Sequence, residues 1–91
     1  MEKRLTIGFA GMVQGVGFRY TTLHLARQFP RITGTVRNVP DGTVELIAEG
    51  SEADLKAFAD AIEDRMSAYI RRAKRSYAEP SGAFASFRIA T

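Results

Sequence analysis

The stretch Gly11-Met12-Val13-Gln14-Gly15-Val16-Gly17-Phe18-Arg19-Tyr20 holds residues whose types and spacing could do chemistry. Three glycines lead into a helical pattern that begins near Phe18. A helix start leaves about four backbone N–H groups without intrahelical partners. Ser, Thr, Asp or Asn ordinarily caps them. Here Gly15, Val16 and Gly17 stand just ahead of the helix, and none carries a capping oxygen. Arg19 adds a positive charge where the helix dipole is already positive. Both oddities disappear if an anion occupies the site, because bare N–H groups, glycines and a guanidinium together form a phosphate cradle. A tight glycine turn with a solvated arginine accounts for the loop equally well on its own. The named phosphate motifs do not fit: Tyr20 stands where GxGxxG needs its last glycine, and no GK[ST] follows.

The elements that must position this loop follow from periodicity. Leu5, Ile7 and Phe9 alternate with Thr6, Gly8 and Ala10, which predicts a strand. Phe18, Thr22, Leu25, Ala26 and Phe29 stand at helical spacing until Pro30 stops them. "ITGTVRNV" is rich in β-branched residues and reads as a second strand. "VPDG" is a turn, and "TVELIAEG" turns Val44, Leu46 and Ala48 inward and Glu45 and Glu49 outward. Ser51 caps a second helix, with Asp54 completing a weak capping box and Leu55, Phe58, Ala59, Ile62 and Met66 as its apolar stripe. "YIRRAKRSY" predicts a basic edge strand, "EPSG" a turn, and "AFASFRI" a last strand. This is an α+β, ferredoxin-like (split β-α-β) two-layer sandwich: a mostly antiparallel sheet of about five strands with two helices on one face.

That topology brings a second residue to the loop. Helix 1 carries the chain back, so strands 1 and 2 run the same way and end at the same edge. Asn38 lies at the end of strand 2 and shares a face with Val36 and Gly34. One strand intervenes, leaving roughly 10 Å between backbones. A phosphate, a water and two side chains fit in that gap, and a neutral amide there can hold a water or a substrate oxygen. An asparagine beside "VPDG" can equally be a turn former.

Composition narrows the chemistry. The chain has 91 residues, enough for one core, and is expected to form a single domain over 1–91. It has no cysteine, which excludes a disulfide framework and thiolate catalysis. One histidine, His24, argues against a histidine metal cluster or a serine–histidine triad. His24 falls about 240° around the helix from Phe18 and is expected to face solvent. No apolar stretch approaches the roughly 20 residues of a membrane span, and the N-terminus reads as a strand rather than a signal peptide. Cytoplasmic residence is the default expectation. The net charge of +3 favours anionic ligands in general.

Together these residues resemble the acylphosphatase family. Its first signature, G-x-V-Q-G-V-x-F-R, is matched at every specified position from Gly11 to Arg19. The second has the form G-aromatic-small-[KRQAM]-N-x3-G-x-V-x5-G and is met by Gly34, Val36, Arg37, Asn38, Gly42, Val44 and Gly50. Thr35 departs from it, since the family usually has an aromatic there, and an effect on packing is expected. The resemblance implies metal-independent hydrolysis of carboxylic–phosphoric anhydrides without a cofactor. It assigns phosphate binding to the loop Val13, Gln14, Gly15, Val16, Gly17 and Phe18 together with Arg19, and assigns the attacking water to Asn38. The implied partners are a small acyl phosphate and inorganic phosphate, with no membrane and a monomeric chain. Two other readings compete. One is a ferredoxin-like nucleic-acid binder, prompted by the basic and aromatic residues of Tyr69 to Tyr77 but opposed by the absence of aromatics in "TGTVRNV". The other is a phosphate-binding module without catalysis.

Overall fold

The computed structural model describes residues 1–90. The chain forms β1 (Glu2–Gly11), α1 (Phe18–Ala26), β2 (Thr33–Asn38), β3 (Val44–Ser51), α2 (Glu52–Arg65), β4 (Ile70–Ala78) and β5 (Phe87–Ile89). The five strands make one sheet in the order β4-β1-β3-β2-β5. All pairings are antiparallel except β2 with β5. The architecture is the expected ferredoxin-like α+β sandwich.

Alternation along the strands builds the core. Leu5, Ile7 and Phe9 of β1 and Val44, Leu46 and Ala48 of β3 are fully buried beneath the helices. From above, Phe18, Thr22, Leu25 and Ala26 of α1 and Leu55, Phe58, Ala59 and Ile62 of α2 meet them. Thr22 tolerates burial because its hydroxyl donates to the Phe18 carbonyl one turn earlier, at 2.9 Å. Phe58 joins the two helical halves, 5.7 Å from Phe29 and 5.4 Å from Phe87 between ring centroids.

The element ends follow local chemistry. Ser51 caps α2 as expected, its hydroxyl accepting from the Asp54 N–H at 3.1 Å. α1 stops at Ala26, earlier than the spacing suggests. Arg27, Gln28 and Phe29 continue it as tight turns, each N–H donating three residues back. Pro30 forbids further helix and pushes the residue before it out of helical geometry. Phe29 still packs on the core from this turn.

Two expectations need correction. The last strand is only Phe87–Ile89, not the whole of "AFASFRI". Glu49 does point away from the helices, yet it is buried, with 5% of its surface exposed. One cause explains both. β4 and β5 lie at opposite sheet edges, so the segment joining them must cross the sheet. It anchors on Glu49: the Ser81 N–H, Ser81 hydroxyl and Gly82 N–H donate to its carboxylate at 2.7–2.9 Å. Arg4 completes the shell, Nε donating at 2.9 Å, and lies 5.5 Å from the Phe84 ring centroid. Residues 83–85 are thereby spent on the crossing, and contact with β2 begins only at Ser86, whose carbonyl accepts from the Gly34 N–H at 3.0 Å. Burial alone would raise the Glu49 pKa, but these hydrogen bonds outweigh it and hold the pKa at about 2.

β4 lies at the sheet edge as expected. One of its cations faces the helix layer: Arg75 donates to Asp60 at 2.8 Å and to Glu63 at 2.9 Å, tying β4 to α2.

Candidate active site

β1, α1 and the β2–β3 turn converge at one end of the molecule. α1 begins there with no side-chain cap, and Gly17 holds the N-cap position in a left-handed conformation, φ 78°. Gly15 shares that conformation at φ 79°. Only glycine adopts it without strain. Glycines in this conformation allow a chain to turn successive N–H groups toward one point. Among the described residues, no backbone N–H from Val13 to Tyr20 donates to a protein acceptor.

A cleft of about 160 Å³ opens over these groups, lined by Val13, Gly15, Gly17, Phe18, Arg19, Tyr20 and Asn38. Arg19 is half-buried and belongs to no ion pair among the described residues. Asn38 is also half-buried, and its amide is free of protein partners among the described residues. The expected topology delivers it: β3 lies between β1 and β2, and Asn38 pairs with Val44 where Phe9 pairs with the same residue from the other side. The cleft therefore offers a guanidinium, a run of N–H donors and an amide, and no carboxylate. It can hold a tetrahedral dianion and a water. A larger cleft, about 380 Å³, lies at the other end of α1 among Leu23, Phe29, Ile32 and Phe87. Arg27 lines it too, but no helix N-terminus and no residue of the glycine loop does.

The loop residues divide by task. Val13 and Phe18 are buried, and Phe18 stacks at a tilt on Phe9 with centroids 4.8 Å apart. They bolt the cradle to the core. Val16 packs half-buried on the same core. Gln14 faces away from the cleft. Its amide Nε2 donates to the Val39 carbonyl at 2.8 Å and to the Thr43 carbonyl at 2.9 Å. One side chain thus clamps the cradle to the turn that carries Asn38. That turn is stiffened in its own right. Val39 N–H donates to the Thr43 carbonyl, and the Asp41 carboxylate accepts from both the Thr43 hydroxyl (2.6 Å) and its N–H (2.9 Å). The hydroxyl first, and the N–H second, hold the Asp41 carboxyl below the usual range. Sequence reasoning missed Tyr20 as a wall of the cleft and Asp41 and Thr43 as its support. The "VPDG" turn signal was the only trace of the latter pair. His24 is exposed, as its helical position predicted.

The comparisons with known proteins agree with this geometry. The family profile described as Acylphosphatase matches residues 5–89. A protein named acylphosphatase from Paenarthrobacter aurescens is 41% identical over 87 residues, covering 94% of this chain and 92% of that protein. One from Listeria monocytogenes is 56% identical over 52 residues, or 57% of this chain and 55% of that protein. The crystal structure of acylphosphatase from Bacillus subtilis matches with a TM-score of 0.87 and 29% identity, covering 98% of this chain and 99% of that one. Profile, sequence and fold agree over nearly the full length described, and the chain belongs to the acylphosphatase family.

Proposed function

We propose that the cradle Val13–Phe18, Arg19 and Asn38 carry out the acyl phosphate hydrolysis that family membership establishes. The observation behind this reading is the run of N–H groups from Val13 to Tyr20 without protein acceptors among the described residues, beside a cleft that Val13, Gly15, Gly17 and Phe18 line together with the unpaired Arg19 and the free amide of Asn38. The loop amides and the Arg19 fork bind the phosphoryl oxygens and stabilise charge on them as the reaction proceeds. Asn38 holds a water in line with the bond to be broken. The water oxygen bonds to phosphorus while the phosphorus–oxygen bond to the acyl group breaks. The carboxylate leaves with the electron pair, and the water's protons pass to phosphate and solvent. A carboxylate leaves readily, so no strong general acid is required. This fits a cleft without histidine, cysteine or carboxylate.

The same reading takes residues 1–91 as one acylphosphatase-like domain, monomeric and cytoplasmic, with a small acyl phosphate as substrate and orthophosphate as product. Among the described residues no helix is long and apolar enough to cross a membrane. The nucleic-acid alternative, prompted by Tyr69 to Tyr77, is not favoured, since the family profile and the relatives point to acyl phosphate hydrolysis.

The test is hydrolysis of benzoyl phosphate by the wild type and by Arg19→Lys. Lysine keeps the charge but loses the planar fork. The variant should stay folded, lose at least about 100-fold in kcat/KM and bind orthophosphate more weakly. Wild-type turnover in Arg19→Lys would remove Arg19 from the mechanism.

A further inference from the structure

Tyr20 is the one large exposed side chain in the wall of the cleft. It is 71% exposed, although most of a tyrosine's surface is apolar. The cleft, at about 160 Å³, is about half the ~300 Å³ at which pockets begin to enclose a drug-sized ligand. Phosphate and water fill such a space, and the acyl group must lie at its mouth. What lies at the mouth is set by helix geometry. The Cα–Cβ bond of a helical residue tilts toward the N-terminus, so its side chain covers the turn before it. For Tyr20, in the first turn of α1, that direction leads toward the cradle. Gly17 stands three positions earlier, on the same side of the helix. A β-carbon on Gly17 or Gly15 would meet nothing within 4 Å, so the space over the two glycines is open.

We infer that Tyr20 is the specificity residue of this site and selects acyl phosphates with an aromatic or similarly flat apolar acyl group. The inference rests on the catalytic reading of Arg19 and Asn38 given above. With the phosphoryl group on the loop amides and Arg19, the acyl group projects outward over Gly15 and Gly17. There the tyrosine ring offers it a flat apolar face. Ring-on-ring packing of this kind distinguishes a benzoyl group from an acetyl group. The phenolic hydroxyl has no part in the selection.

The experiment compares benzoyl phosphate with acetyl phosphate in the wild type, Tyr20→Ala, Tyr20→Phe and Met12→Ala. Met12 is a fair control, being 70% exposed on the same loop but outside the cleft wall. Tyr20→Ala should lose about 10-fold in kcat/KM for benzoyl phosphate, mainly through KM, and less than about 2-fold for acetyl phosphate. Tyr20→Phe and Met12→Ala should keep the wild-type preference. Inhibition by orthophosphate should be equal in all four proteins, which also shows the cleft intact. An equal loss on both substrates, no loss on either, or the same shift in Met12→Ala would overturn the role of Tyr20. A wild type inert toward both substrates would overturn the catalytic reading, and this inference with it.

Discussion

Asn38 is the residue at which mechanism and architecture can be told apart. Its amide has no protein partner among the described residues, so its removal breaks no internal hydrogen bond. Asn38→Ala should cost less than about 0.5 kcal/mol of stability, as at other such surface positions. Turnover should fall about 100-fold, because water placement matters mainly in the transition state. Orthophosphate inhibition should change little, since Arg19 and the loop still hold the anion. Thermal unfolding, orthophosphate inhibition and turnover on one purified variant decide the matter: clear destabilisation with normal turnover would return Asn38 to the turn. The residues proposed to meet the anion were legible as candidates in the sequence because missing caps and a misplaced charge are local facts. The task of Gln14 was not. Its acceptors, Val39 and Thr43, lie 25 and 29 residues away in the chain, and no local pattern records such a contact.

Among the elements, strands and helices declared themselves through periods of two and 3.6, and the cap at Ser51 through its own chemistry. The crossing segment before β5 did not. It has no period, and the alternation of β3 marks Glu49 only as facing away from the helices. That Glu49 is covered depends on where residues 79–84 travel, which is a property of the assembled sheet. Its titration follows from that cover. Glu49 ionises at about 2 in the folded chain against an ordinary 4.5. A depressed carboxylate contributes its full stabilisation above the unfolded pKa and loses it as pH falls through the folded one. The stake is roughly 3 kcal/mol, lost between about pH 4.5 and pH 2. Urea unfolding across that range should show the loss in the wild type and a flatter profile in Glu49→Gln. Identical profiles would mean that the anchor does not hold in solution. Glu49 lies at the end of β3 remote from the cradle, so turnover of folded Glu49→Gln at neutral pH should match the wild type.

For the whole molecule, the strand order follows from the β-α-β-β-α-β plan once the first β-α-β unit is split by β3. The end that carries the proposed site follows as well, because β1 and β2 both point to it. Hydrolysis should proceed without metal if, as proposed, charge stabilisation in the cleft comes from Arg19 and backbone amides. Dialysis against a chelator should leave the rate unchanged, and a large loss restored by magnesium would show the site to be misread. The sheet order also governs how the chain reaches this state. β1 is made first yet lies between β3 and β4, pairing residues 2–9 with 44–51 and residues 4–11 with 70–78. Each pairing closes a long loop, whose entropy is lost before its contacts form. Helices alone cannot lead the assembly, since each needs the sheet to cover its apolar face. Refolding is therefore a slow, late-committing event, on the order of milliseconds to seconds rather than microseconds. On the ribosome, the side of β1 that β4 covers remains open until residues 70–78 have emerged, although β3 is already available on the other side.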